Sequence, residues 1–172
     1  IKLLRMITKK QVLLSVIVIA AFIMFLMVIY ISHQQKPSQF KMQELPNAQL
    51  STIDGKPYSI NLKKDNILVF FETDCSFCKQ EADEIIDAEN KLDSLEVLFI
   101  SSEQLENIIR FSLSHSSSKI MYLHDETTLF GKELKVKLHP TIFLYSHKIK
   151  KIVKQYVGSV PIDQVLQSLR DE

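Results

Sequence analysis

The sequence predicts an α/β sandwich with a mixed central β-sheet, preceded by one N-terminal transmembrane helix. Three observations lead to this fold class. An uninterrupted apolar run near the start has the length of a membrane span. Short apolar runs then alternate with amphipathic helical patterns, which is typical of parallel strands joined by helices. A predicted hairpin and a closing helix follow, and a hairpin adds antiparallel strands to such a sheet.

The apolar run extends from Val12 to Ile31 and contains one polar residue, Ser15. A helix of about twenty residues spans ~30 Å, which is the thickness of the hydrocarbon core of a bilayer. A cleaved signal peptide has a shorter apolar core and a cleavage site of small residues, and this run has neither property. We therefore predict an uncleaved membrane anchor. The predicted segments are a basic cytoplasmic segment at residues 1–10, the transmembrane helix at 11–32, a polar tether at 33–39 and a globular domain at 40–172.

The charges around the apolar run predict its orientation in the membrane. The residues before it include four bases and no acid, namely Lys2, Arg5, Lys9 and Lys10. The positive-inside rule places this end in the cytoplasm and the globular domain outside the plasma membrane, in the periplasm of a bacterium with two membranes. The chain has 21 Lys and Arg against 20 Asp and Glu, so the remainder without these four bases is slightly acidic. An acidic domain argues against nucleic acid as a partner.

The globular domain opens with a predicted hairpin at residues 48–60, in which Asp54-Gly55 forms the turn. The apolar run at 67–72 predicts a central strand that is buried on both faces. The pattern at 78–92 predicts an amphipathic helix. Its apolar face carries Ala82, Ile85, Ile86, Ala88 and Leu92, and its opposite face carries Glu81, Asp83, Glu84 and Asp87.

The remaining elements follow from the same two periodicities, two residues for strands and 3.6 for helices. They are predicted as strands at residues 95–100 and 120–123, helices at 104–113 and 127–134, a hairpin of strands at 141–145 and 149–157, and a closing helix that begins at Pro161. Proline suits the first position of a helix because its missing N–H has no partner there in any case.

Cys75 and Cys78 are the only cysteines, and they lie at the predicted turn from the central strand to the first domain helix. Such a pair can close a disulfide and reopen it, and the helix N-terminus stabilises a thiolate. The loop between them is too short to constrain the unfolded chain, so stability does not explain the pair. The pattern predicts thiol–disulfide exchange, in which the Cys75–Cys78 dithiol carries the electrons and no other cofactor and no metal is needed.

These features together resemble the thioredoxin superfamily, and within it the membrane-anchored TlpA- and ResA-like thiol–disulfide oxidoreductases. The resemblance extends over about residues 44–171. It is carried by Asp54-Gly55-Lys56 in the hairpin, by residues 70–80 around the dithiol, by His139-Pro140-Thr141 at the start of a late strand, and by Gly158 before the last helix.

The resemblance implies a three-layer sandwich and a role for each residue of the site. Cys75 is then the attacking nucleophile, and Cys78 is the buried thiol that resolves the mixed disulfide. Pro140 is expected to be cis and to lie against the dithiol. His139 is expected to face the cysteines and to pair through its backbone with the substrate chain.

The sequence departs from the superfamily pattern at the residues around the dithiol. The position before Cys75 is usually aromatic and is Asp74 here, and the chain has no tryptophan. Val69 occupies the position of a buried acid, so the usual proton relay beneath the resolving cysteine is missing unless Glu72 replaces it. We expect Glu72 and Asp74 to oppose a thiolate at Cys75, and Lys79 and a charged His139 to favour it. The acidic neighbours favour a reducing protein.

The predicted function is the reduction of protein disulfides outside the cytoplasm. An integral-membrane electron donor would restore the dithiol, because cytosolic reductants do not reach that compartment. The alternatives are a Cu(I) chaperone that uses Cys75, Cys78 and His139, a peroxiredoxin-like thiol peroxidase, and a non-catalytic interaction module. Copper chaperones of this fold space their cysteines differently. Peroxiredoxins carry a Thr-x-x-Cys site, whereas this chain has Thr73-Asp-Cys75.

Overall fold

The structure, a computed structural model, describes residues 9–34 and 40–170. They fall into two compact units, of which the second begins at Phe40, and each is considered by itself. The first unit contains the helix α1, Lys9–Gln34. Within the described ranges, no helix combines the length and the apolar character that crossing a membrane requires. The transmembrane segment therefore stays a prediction, and the predicted basic segment and tether lie largely outside the described residues.

In the second unit, strands and helices follow the predicted order, and most lie close to their predicted bounds. The helix predicted at residues 78–92 is shorter than expected, because the α-helix ends at Asp87 and a 3₁₀ turn follows it. The elements are β1 (Leu50–Thr52), β2 (Pro57–Tyr58), β3 (Asp65–Phe70), α2 (Ser76–Asp87), a 3₁₀ turn (Glu89–Lys91), β4 (Leu95–Ser101), α3 (Leu105–Ser114), β5 (Ile120–His124), α4 (Leu129–Glu133), β6 (Thr141–Ser146), β7 (Lys151–Val157) and α5 (Ile162–Arg170). The β7 strand begins later than predicted because the turn before it continues through Lys150, whose φ is positive.

The strands form one mixed sheet in the order β2-β1-β5-β4-β3-β6-β7. The three strands β3, β4 and β5 are parallel to one another, and β6 joins the edge of β3 in the antiparallel direction. The predicted mixed sheet is therefore confirmed. The connections between the parallel strands run through α2 and α3, as crossovers between parallel strands require.

Both faces of the sheet are covered, which gives the predicted three layers. In β3, Ile67 and Val69 face one core and Leu68 and Phe70 face the other, and all four side chains are buried. The first core also contains Ala82 and Ile85 of α2, Ile108 and Phe111 of α3, and Val165 and Leu166 of α5. The second core is closed by Phe130 of α4 and by Leu50 of β1.

The short helix α4 depends on a buried carboxylate for its N-terminus. Asp125 accepts hydrogen bonds from the N–H groups of Phe130 and Gly131, at 3.3 and 2.9 Å. The first N–H groups of a helix have no partner within it, and a side-chain oxygen supplies one. Thr128, the residue before α4, has a left-handed backbone and makes no capping bond. Asp125 therefore replaces it as the capping residue.

We expect Asp125→Ala to lower the free energy of unfolding by about 1–2 kcal/mol, because it leaves two N–H groups of α4 without their acceptor. Chemical denaturation of the purified protein measures this loss. Glu126→Ala, which removes an exposed carboxylate from the next position, is the matched control and should change stability by less than ~0.5 kcal/mol. Equal losses in the two variants would contradict the capping role.

Candidate active site

The two cysteines lie at the N-terminus of α2, directly after β3. Cys75 is the N-cap residue of this helix, with an extended backbone, and its Sγ accepts a hydrogen bond from the N–H of Cys78 at 3.2 Å. Both cysteines are free thiols; Cys75 is half-buried, and Cys78 is fully buried. The thiol at the helix terminus is therefore the more accessible of the two.

The environment of Cys78 keeps its proton on the sulfur. Burial raises the pKa of the Cys78 thiol far above its usual range, and the hydrogen bond with Cys75 acts in the same direction. A backbone hydrogen bond with Glu72 lowers the pKa but does not offset the burial. A thiol of this kind attacks a disulfide only when a base removes its proton.

The loop before β6 lies against the dithiol. The peptide bond between His139 and Pro140 is cis, as expected, and the Cys75 thiol donates a hydrogen bond to the carbonyl oxygen of His139, with 3.6 Å between sulfur and oxygen. The carbonyl oxygen of Pro140 accepts a hydrogen bond from the N–H of Gly158 at 2.8 Å. The loop is thus held between the first cysteine and the end of β7.

Glu72 does not occupy the place of the missing buried acid. Its side chain is 56 % exposed, and its Oε1 lies 3.1 Å from Nδ1 of His139, whose side chain is 24 % exposed. Its backbone carbonyl accepts the N–H of Cys75 at 3.3 Å. The structure therefore pairs Glu72, an acid beside the dithiol, with His139, the residue before the cis-proline.

Asp74 and Lys79 lie where their predicted effect on Cys75 is weak. Both side chains are exposed, and both line an open cavity of about 420 Å³ between the dithiol loop and α3. Solvent screens charges at such positions. The other residues that line this cavity are Thr73, Asn107, Arg110, Phe111 and Ser114.

The buried acid of this site is Glu81, three residues after Cys78 in α2. Its side chain is fully buried, and its Oε2 accepts the N–H of Val160 at 3.0 Å. Among the described residues, its Oε1 has no hydrogen-bond partner. Burial raises the pKa of Glu81 to about 7, although the Val160 amide and the Ser159 hydroxyl lower it.

The prediction that Glu81 lies on the exposed face of its helix is wrong. The segment after β7 packs over this position and supplies the hydrogen bond from Val160. A signal was present in the sequence, because Cys78, Glu81, Ala82 and Ile85 have the spacing i, i+3, i+4, i+7 of a single buried face. The prediction assigns Glu81 to the exposed face because a carboxyl group is polar, although its spacing places it on the buried face.

The described part of the chain does not bring the proposed Cu(I) ligands together. In residues 9–34 and 40–170, no group of three or more His, Cys, Asp or Glu side chains could hold a metal ion. The set of Cys75, Cys78 and His139 considered for Cu(I) is therefore not assembled. The histidine contacts the first cysteine through its backbone oxygen, while its ring is directed to Glu72.

Comparison with known proteins gives one family and a set of similar folds. A family model of the thioredoxin-like domain matches residues 54–172. No curated protein matches the chain. Among solved structures, StoA from Bacillus subtilis is 25 % identical with a TM-score of 0.58, and the match covers 69 % of this chain and 92 % of StoA.

Two further solved structures have a similar fold. The exposed lipoprotein thioredoxin Etrx1 from Streptococcus pneumoniae is 24 % identical with a TM-score of 0.60, over 72 % of this chain and 98 % of its own. A secreted disulfide oxidoreductase of Mycobacterium tuberculosis, homologous to E. coli DsbE, is 14 % identical with a TM-score of 0.61, over 72 % of this chain and 95 % of its own.

The raised pKa of Glu81 predicts how stability depends on pH. The folded protein holds this proton up to about pH 7, whereas the unfolded chain releases it near pH ~4.3. Folding therefore binds a proton between these values, and the contribution of Glu81 to the free energy of unfolding falls by roughly 4 kcal/mol as the pH rises through them.

Glu81→Gln keeps an oxygen for the Val160 N–H and cannot ionise, so we expect it to lack this fall and to be more stable than the wild type at pH 8. Denaturant titrations of both proteins at pH 5 and pH 8 provide the measurement. If the two proteins lose the same free energy of unfolding over this range, Glu81 is not the titrating group.

Proposed function

The chain belongs to the thioredoxin-like domain family, and we propose that it is a thiol–disulfide oxidoreductase that reduces protein disulfides outside the cytoplasm. The predicted membership of the thioredoxin superfamily is confirmed by the family match, and the similarity to StoA agrees with the TlpA- and ResA-like branch. One observation above all supports the activity. An accessible Cys75 thiol at a helix N-terminus lies against the cis-proline loop, and the second thiol is buried behind it.

The first step is an attack by the Cys75 thiolate on one sulfur of a partner disulfide. The N–H of Cys78 donates to this sulfur, and the N-terminus of α2 favours its negative charge. A bond forms between Cys75 and the attacked sulfur, the partner's S–S bond breaks, and the other partner sulfur leaves as a thiolate that takes up a proton. His139 and Pro140 position the partner chain beside Cys75.

The second step releases the partner. Cys78 loses its proton and attacks the Sγ of Cys75, which forms the Cys75–Cys78 disulfide and frees the second partner thiol. Glu81 lies one helical turn from Cys78 on the same buried face, and its pKa of about 7 suits a group that accepts a proton at neutral pH. Over both steps, two electrons pass from the dithiol to the partner.

The proposed function also includes a location outside the cytoplasm and a source of electrons for the dithiol. The basic segment and the apolar run at residues 12–31 support an anchor in the plasma membrane, with the dithiol outside the cytoplasm. After each cycle the Cys75–Cys78 disulfide must be reduced again, and in that compartment the electrons have to come across the membrane. We therefore propose an integral-membrane protein as the electron donor. The dithiol is the only redox group that this cycle uses.

Replacing one cysteine or the other should give different reaction products with a disulfide substrate. We expect Cys78→Ser to accumulate a mixed disulfide through Cys75, because the resolving thiol is missing, and Cys75→Ser to form none. The measurement is non-reducing electrophoresis after reaction with oxidised insulin, together with the rate of insulin reduction, which both variants should abolish. Ser76→Ala, an exposed position between the cysteines, is the control and should retain activity. A mixed disulfide through Cys78 would contradict the assigned roles.

The reduction potential of the purified chain, equilibrated with thiol buffers, gives the direction of electron flow. We expect a value near or below roughly −250 mV, close to that of thioredoxin at ~−270 mV. A value between ~−120 and −180 mV would instead indicate an oxidant or an isomerase. Failure of Cys75 and Cys78 to form a reversible disulfide would overturn the exchange function altogether.

A further inference from the structure

Glu72, Cys75 and His139 form a closed ring of three contacts. The backbone carbonyl of Glu72 accepts the N–H of Cys75 at 3.3 Å, and the carboxylate of Glu72 lies 3.1 Å from Nδ1 of His139. The carbonyl oxygen of His139 accepts the Cys75 thiol at 3.6 Å, which completes the ring. Glu72 therefore contacts both sides of the site, the dithiol loop through its backbone and the cis-proline loop through its side chain.

The register of the sheet brings the two side chains of this ring together. Strands β3 and β6 are antiparallel, and their last pair is Phe70 with Thr141. Glu72 lies two residues after Phe70, and His139 lies two residues before Thr141. If the register is continued past the strand ends, these two residues stand opposite each other. Residues opposite each other on neighbouring antiparallel strands interact through their side chains. The pair is thus a continuation of the sheet beyond its last hydrogen-bonded pair.

The hydrogen bond from the Cys75 thiol to the His139 carbonyl oxygen exists only in the reduced form. The Cys75 thiol donates a proton to the His139 oxygen, and the sulfur has no proton after the Cys75–Cys78 bond has formed. Reduction of that disulfide takes two electrons and two protons, for instance from two glutathione thiols that leave as glutathione disulfide, and restores the S–H group. A His139 oxygen that is held in place therefore stabilises the dithiol relative to the disulfide.

We propose that Glu72 is a positioning residue for the exchange reaction, which holds the His139 carbonyl oxygen against Cys75 by pairing with the His139 ring and thereby favours the reduced dithiol. This inference rests on the proposed function and names a residue that sets the balance between the dithiol and the disulfide. It also gives Glu72 an effect opposite in sign to that of its charge. A carboxylate near Cys75 disfavours the thiolate and hence the reduced form, whereas the positioning contact favours the reduced form.

The test is the equilibrium constant for reduction by glutathione, measured at pH 7 on the full chain and its variants. We expect Glu72→Ala to lower this constant about five-fold, the size of one net hydrogen bond. Glu72→Gln, which can still accept a hydrogen bond from the His139 ring, should restore most of the loss. His139→Ala should match Glu72→Ala, and the double variant should show no further loss because both residues act through one contact.

Asp74→Ala is the matched control for charge, because Asp74 is a neighbouring exposed carboxylate that takes no part in the three contacts among Glu72, Cys75 and His139. It should leave the constant unchanged or raise it. An increase in Glu72→Ala of the same size as in Asp74→Ala would overturn the proposal, since charge alone would then account for Glu72. An additive loss in the double variant would overturn it as well.

A merely structural role is excluded by comparing the stabilities of the two redox forms. Glu72→Ala should destabilise both forms unequally: it should raise the equilibrium constant for unfolding of the reduced form about five-fold more than that of the oxidised form. Equal losses in both forms would contradict the positioning role. The two proposals fail separately: a wild-type chain with no reversible disulfide contradicts the proposed function, whereas a reversible disulfide that Glu72→Ala leaves unchanged contradicts this inference alone.

Discussion

The antiparallel register between β3 and β6 is the constraint on which the active site depends. It pairs Phe70 with Thr141, and so it brings the loop after β3, which carries the dithiol, against the loop before β6, which carries the cis-proline. Both strands are central and buried on both faces. A slip of one residue would turn every apolar side chain to the opposite core, so the packing of the sheet keeps the site in place.

A second connection runs beneath the dithiol through the segment that follows β7. The N–H of Gly158 bonds to Pro140, and the N–H of Val160 bonds to Glu81. The same segment therefore supports the cis-proline loop and covers the buried face of α2. Cys78 and Glu81 are both fully buried, and this burial raises the pKa of both groups, while Cys75 stays partly exposed at the helix terminus.

The site thus has two carboxylates with different environments and different roles. Glu72 is half exposed and is paired with His139. Glu81 is fully buried, and we propose it as the proton acceptor for Cys78. The position of the superfamily's buried acid is occupied by Val69, which packs in the core of the sheet. In this chain the buried carboxyl group comes from the helix that carries the dithiol.

The order of elements, the mixed sheet and the dithiol at a strand-to-helix turn could be predicted from the sequence, because each depends on local periodicity or on a short motif. The cis form of Pro140 and its place against the dithiol were implied by the resemblance to the thioredoxin superfamily. Two features were decided only by the tertiary structure. The burial of Glu81 depends on a segment some 79 positions away that covers one face of α2. The pairing of Glu72 with His139 depends on a strand register, and both are contacts between distant residues that no local pattern encodes.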